Sequence, residues 1–276
     1  MSTIATQTFG KFLLCSLAGF EGWLMTRSFN RVVRLIQNHH TYKPGYAHFK
    51  GNNHLSLLQG MERSHLDRGF AEIAQNITTF PDGSLAICRS FEKIPAGIKG
   101  ANRYGICIEH VGYFDEGGDQ MSPQHRETIV KLNALLCRKF NLPVNTDSIV
   151  YHHWYDLNTG LRTNGSGTTK TCPGTAFFGG NSVEACRVNF IPLVQTALSG
   201  TSIAPVNVIN SERLPTGVIR VSALNVRKGP GTQFPVVKVL RRGTALAIYN
   251  QDRDWYQISN GPEWVKSDYV DLESDD

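Results

Sequence analysis

The chain holds 276 residues, 41% of them hydrophobic and 18% charged, with a formal net charge of +5. That apolar share excludes global disorder, and the length exceeds what one compact core needs, so a domain of moderate size plus a smaller one is expected. The charge excess is small and forms no basic run, which argues against nucleic acid as a partner.

Residues 1–25 read as an N-terminal tail or accessory segment. Their longest apolar stretch, Phe12 to Phe20, falls short of the roughly 20 residues that span a bilayer. Lys11 comes late, Met1 to Gly10 is polar and Glu21 follows at once, so the stretch is no signal peptide either. The expectation is synthesis in the cytoplasm without a Sec signal and with no membrane span.

Between residues 26 and 200, short apolar runs at Leu35-Ile36, Ile106 to Ile108 and Ile149-Val150 predict strands. Helices are predicted between and after them. The first runs from about Leu55 to Arg68, with Leu58, Met61, His65 and Leu66 near one face, and stops at Gly69. The second starts at Ser122-Pro123, a cap followed by proline at the first helical position, and carries Ile129, Leu132, Leu136 and Phe140 toward Pro143. The third begins at Asn181 with Glu184 three residues on, a capping-box pattern, and continues through Val183, Val188 and Phe190. Strands mixed with helices indicate an α/β layer domain.

Residues 201–216 cluster Thr, Ser, Pro and Asn and read as a linker. From 217 to 276 the pattern changes. Leu224 and Val226 alternate with Asn225 and Arg227, the turn Lys228-Gly229-Pro230-Gly231 follows, and short Val, Ile and aromatic runs recur, as in a small β barrel or sandwich. After residue 215, eight basic and eight acidic residues cancel, so the whole charge excess lies in the first domain.

The six cysteines are scattered without CxxC spacing, which argues against a disulfide framework. Two histidine doublets, His39-His40 and His152-His153, each follow a predicted strand. Because neighbouring side chains on a strand face opposite ways, one member of each doublet can enter a shared site. Cys172, in Lys170-Thr171-Cys172-Pro173-Gly174, is the third ligand candidate, its sulfur backed by a proline–glycine turn. Two His and one Cys leave zinc an open fourth position, the arrangement of a catalytic site, where bound water with a pKa lowered to about 7 is a nucleophile. The alternative for each residue taken alone is a core histidine or a small buried thiol.

Lys170 lies two residues before Cys172, so in an extended segment both face one way and the ammonium can steady negative charge on a carbonyl oxygen. A solvated surface lysine is the plainer reading. Glu109 interrupts the apolar run Ile106-Cys107-Ile108, and a half-buried carboxylate requires a partner. Metal-bound water or a cation would supply one and make Glu109 a general base; a buried salt bridge is the alternative.

On these residues the first domain resembles the zinc-dependent N-acetylmuramoyl-L-alanine amidases of the type-2 amidase and peptidoglycan-recognition-protein family, over roughly Leu35 to Phe178. Leu35 to Thr41 resembles the family's first zinc strand and Ile149 to His152 its second, which implies His39 and His152 as ligands. Lys170 to Phe177 is similar to the last ligand motif, implying Cys172 as ligand and Lys170 as the oxyanion-stabilising lysine. Ile106 to Gly112 resembles the strand carrying the catalytic glutamate of recycling-type members, implying Glu109, and Asn102 fits a substrate-binding asparagine shortly before it. Where many members carry a Tyr-His-Phe element, this chain has Gln75-Asn76-Ile77. The insertion between His152 and Cys172 is either a substrate-lining loop or a surface loop.

The implied fold is a mixed central sheet flanked by helices, like that of peptidoglycan recognition proteins. The second domain, from Ala223 through Trp264-Val265, resembles the bacterial Src-homology-3-like modules of cell-wall enzymes, which bind peptidoglycan cross-bridges or stem peptides. Together these imply a Zn2+ enzyme that cleaves the amide between N-acetylmuramic acid and L-alanine, an endolysin or autolysin acting on the wall after release. The rival expectation is a peptidoglycan receptor that binds without cutting.

Overall fold

A computed structural model describes residues 6–200, 216–248, 250–252, 254–259 and 263–272, and the chain divides into two compact units, Met1–Ser202 and Ile203–Asp276. In the first unit β1 (Gln7–Phe9), β2 (Phe12–Cys15), β3 (Leu35–His40), β4 (Ile77–Thr79), β5 (Leu85–Ile87), β6 (Gly105–His110) and β7 (Ile149–Tyr151) build one mixed sheet. Its strand order is β1-β2-β5-β4-β6-β3-β7. The half containing β4, β6, β3 and β7 is parallel, and the half from β1 to β4 is antiparallel.

Alternation along the strands divides the apolar residues between two cores. Leu13, Cys15, Leu85 and Ile87 face one side, where α1 (Leu17–Met25), α3 (Pro123–Lys139) and α5 (Ile191–Gly200) bring Phe20, Leu24, Leu132 and Val194. Phe12, Leu14, Ala86 and Cys88 face the other, against Leu58 and Met61 of α2 (His54–Asp67).

The N-terminal segment departs from expectation. From Gln7 onward, residues assigned to a tail or accessory segment extend the sheet and fill its core: β2 pairs with β5, and Ser16 caps α1 by accepting from the Gly19 amide at 3.2 Å. Phe20 is fully buried against Trp23 and Phe91. Phe20→Ala is therefore expected to cost about 3–5 kcal/mol in denaturant unfolding. A loss under about 1 kcal/mol would mark this segment as dispensable.

The three predicted helices form. Ser122 caps α3 with Pro123 following, as its sequence implies, accepting from the His125 amide at 3.1 Å. In α2 the buried face is His54, Leu58 and Met61; Leu66 is 48% exposed and lies off that face. The last helix starts one residue later than expected. Ser182 caps α4 (Val183–Ala185), because Asn181 instead donates its side chain to the Thr171 carbonyl at 2.8 Å. A π turn, Cys186–Phe190, leads into α5, and Val188 is exposed.

Residues 201–215 of the expected linker lie outside the described residues, and Thr216 already begins β8 (Thr216–Ile219). In the second unit β9 (Ala223–Arg227), β10 (Val236–Arg241), β12 (Asn250–Asp252), β13 (Trp255–Gln257) and β14 (Trp264–Lys266) form one antiparallel sheet. β8, β11 (Ala245–Ala247) and β15 (Val270–Leu272) form another. Ile219, Leu224, Val226, Leu246, Val265 and Val270 make its own core, so this unit is all-β as expected. Among the described residues no helix is long and apolar enough to cross a membrane.

Candidate active site

Parallel pairing of β3 with β6 sets His39 opposite Glu109 at the carboxyl ends of their strands, and β7 ends just before His152. Ligand sites of open α/β sheets lie at such ends. His39 Nδ1 stands 3.1 Å from His152 Nδ1 and 3.6 Å from Cys172 Sγ. One ligand atom from each of these three buried residues lies within 4.8 Å of the others, a group able to hold a metal ion. Glu109 Oε1 approaches His39 Nδ1 at 4.0 Å, and Glu109 Oε2 is buried with no partner among the described residues.

One member of each doublet enters the group. On β3 this follows from strand alternation: the His40 ring turns to the Phe114 amide, accepting from it at 3.1 Å. The second doublet differs from expectation, because His152–Trp154 is a 3-10 turn and not a strand end. There His153 leaves the site by donating Nδ1–H to the Lys170 carbonyl at 2.7 Å.

Burial governs the charge states. It holds His39 well below its ordinary pKa, assisted by His152, and brings His152 down to about 4 with help from the Lys170 charge. Glu109 is pushed up to about 8 by burial, against the pull of Lys170. The Cys172 thiol is raised well above its usual value by burial and by Glu109, although Sγ accepts the His40 amide at 3.4 Å. Lys170 itself is exposed at the mouth.

These groups floor a cleft of about 1030 Å³. α2 and the chain after it also line it, with Ser64, His65, Arg68 and Phe70, as do His48 and Tyr42. None of these six was singled out as a site residue from the sequence. His65 was legible only as part of the Leu58–Met61 face of α2, and nothing in the local pattern marked the other five.

Asn102 is not brought to the cleft. Its Oδ1 accepts from the Gly97 and Ile98 amides at 2.9 and 2.8 Å and so holds the loop in which Gly97 lines the site. Gln75 and Asn76 are structural: Gln75 donates to Thr78 at 2.9 Å, and Asn76 accepts the Cys107 amide at 3.0 Å. The 152–172 insertion folds around Asp156, which accepts from the Thr159 and Thr168 amides at 2.8 and 2.9 Å. Residues 153–169 are absent from the cleft lining.

Behind the sheet runs a buried polar chain. Asn38 exchanges side-chain hydrogen bonds with Asn133 at 3.0 Å and meets His110 Nε2 at 3.1 Å. Thr79 Oγ1 joins His110 to His125 at 2.8 and 2.7 Å, and His125 Nδ1 meets the Tyr46 hydroxyl at 2.8 Å. Burial keeps both imidazoles neutral, His110 well below its usual range and His125 down to about 3. Since their folded pKa values lie below the unfolded value of about 6.5, the unfolded chain binds more protons as the pH falls below it. Stability is then expected to drop on acidification from pH 6.5, by up to about 1.4 kcal/mol per pH unit for each imidazole. Denaturant midpoints at pH 7 and pH 5 measure this, and equal midpoints would contradict it.

The model of the N-acetylmuramoyl-L-alanine amidase family matches residues 29–175, and that of the bacterial SH3 domain matches residues 222–271. No curated protein matches the chain. Among solved structures, the N-acetylmuramoyl-L-alanine amidase LysC from Clostridium intestinale URNW is 21% identical with a TM-score of 0.41, over 54% of this chain and 82% of that one. Drosophila PGRP-LB is 19% identical with a TM-score of 0.43, over 54% of this chain and 79% of that one. The amidase match takes in more than half of the 276 residues, His39, Glu109, His152, Lys170 and Cys172 among them, and the chain belongs to the N-acetylmuramoyl-L-alanine amidase family.

Proposed function

We propose that the chain is a zinc-dependent peptidoglycan amidase in which His39, His152 and Cys172 hold the ion. The donor set supports zinc. A tetrahedral zinc about 2.0 Å from nitrogen and 2.3 Å from sulfur sets its ligands roughly 3.3–3.6 Å apart, close to the 3.1 and 3.6 Å found between the His39, His152 and Cys172 donors. Two neutral imidazoles and a buried thiol face one another with no cation of their own, which a dication compensates. Zinc bound there supplies Lewis acidity toward a carbonyl oxygen and lowers the pKa of water to about 7.

The chain's own groups do the rest. Glu109 holds or releases a proton at the cleft floor; a dication nearby draws its raised pKa back down, so that the carboxylate accepts the proton of the attacking water. Lys170 offers its ammonium at the mouth, where charge develops on the scissile carbonyl oxygen. The α2 wall takes the stem peptide and orients the amide between N-acetylmuramic acid and L-alanine. The second unit, as a wall-binding module, would raise the local concentration of an insoluble substrate. An endolysin or autolysin acting after release from the cytoplasm is the setting this reading favours.

The convergence of His39 Nδ1, His152 Nδ1 and Cys172 Sγ beside Glu109 carries this reading. Its test combines elemental analysis with digestion of purified cell walls. One zinc per chain and newly freed L-alanine amino termini are expected. Wall binding in zinc-replete buffer without new termini would point to a receptor, the reading that Cys172 as a third donor disfavours.

A further inference from the structure

Gln37 lies on β3 two residues before His39, so both side chains leave the same face of the sheet. Gln37 is fully buried, and neither atom of its carboxamide has a hydrogen-bond partner among the described residues. The same is true of His39 Nε2. A buried amide left unpaired is costly, so a glutamine set between Cys107 and Val150 of the neighbouring strands calls for a compensating contact.

The surroundings are shaped for that carboxamide. Gly105 flanks it on one side, where any Cβ would collide with Gln37 Nε2. Gly97 stands on the other, and a Cβ there would fall 2.5 Å from Gln37 Oε1, 2.6 Å from Cys107 Sγ and 3.0 Å from His39 Nε2. Lacking a methyl, the Gly97 backbone can close on both the amide oxygen and the free imidazole nitrogen, which border the same glycine. Asn102 fixes that close approach by binding the Gly97 and Ile98 amides. Meanwhile His39 presents its other nitrogen, Nδ1, to His152 and Cys172.

Resting on the metal centre proposed above, we infer that Gln37 is a positioning residue for His39. Its Oε1 accepts the proton on Nε2 when carboxamide and ring close on each other beside Gly97, and so fixes the tautomer whose Nδ1 lone pair faces the metal. A ligating imidazole whose outer N–H is anchored keeps its ring orientation and its basicity. The inference also gives Asn102 a role: it acts on the site through the Gly97 loop.

The test is zinc affinity of the full chain, measured by chelator competition at one pH. Gln37→Met, similar in length but a poor acceptor, is expected to bind zinc about 10–100-fold more weakly. Gln37→Glu, still an acceptor, is expected to retain the unmutated affinity or exceed it. A folded Gln37→Met protein with unmutated affinity, or an equal loss in both variants, overturns the role. Should a variant fail to fold, long-range proton–nitrogen NMR of the unmutated zinc-loaded chain decides instead. A slowly exchanging Nε2 proton on His39 with metal at Nδ1 supports the inference; metal at Nε2, or a freely exchanging proton, overturns it. An unmutated chain that takes up no zinc rejects the metal centre and this role together, whereas tight zinc binding with an indifferent Gln37→Met rejects this role alone.

Discussion

Cys172→Ser is expected to lose bound zinc and with it the hydrolysis of cell walls, by more than about a hundredfold, since even outer partners of metal ligands act on that scale. A hydroxyl is a far poorer zinc ligand than a thiolate, and His39 and His152 alone do not complete a three-donor set. The exchange is nearly isosteric in a side chain that is 6% exposed, and among the described residues Sγ has only the His40 amide and carbonyl and the His39 ring within hydrogen-bonding reach. The fold should therefore survive. Elemental analysis and release of L-alanine termini from purified walls check both halves of the expectation. Full activity in a zinc-free Cys172→Ser protein would remove the metal from the reaction.

Glu109→Gln is expected to separate binding from chemistry. The carboxamide keeps the shape of the cleft floor but cannot accept a proton, and loss of a positioned acid–base group lowers turnover about 10²–10⁴-fold. Zinc content is expected to be unchanged, because Glu109 is not one of the three donors. The competing role, a structural ion pair, has little support from the geometry: the nearest basic atom is the neutral His39 ring at 4.0 Å, and Oε2 is unpartnered among the described residues. Turnover within a factor of two of the unmutated protein would end the assignment of Glu109 as base.

The donor residues were legible in the sequence because they are chemically conspicuous where strands end. Histidine doublets behind apolar runs, a cysteine ahead of a proline–glycine turn and a carboxylate inside Ile106 to Ile108 each break a local pattern. Strand alternation correctly admits one histidine of the first doublet. The second doublet sends His152 into the group from a 3-10 turn instead of a strand end. What stayed hidden depends on distant pairing. Phe12 to Cys15 looks like the start of an apolar tail until β5 supplies its partner strand. The part of α2 that lines the cleft becomes visible only once the sheet is placed beneath it. Gln37 drew no notice because its meaning lies in two glycines far along the chain, Gly97 and Gly105, whose missing methyls define the slot. The resemblance implies substrate binding by Asn102, while its contacts tie it to backbone amides.

The pairing of β2 with β5 bears on how this protein can be trimmed. A fragment cut at the family boundary, residue 29, would carry His39, His152, Cys172 and Glu109, the proposed metal donors and base. It would also strip the strand that shields β5, baring a row of backbone amides and carbonyls able to recruit other chains. A minimal lytic domain prepared in that way should clump before it can be assayed, so a useful shortened version begins ahead of Gln7.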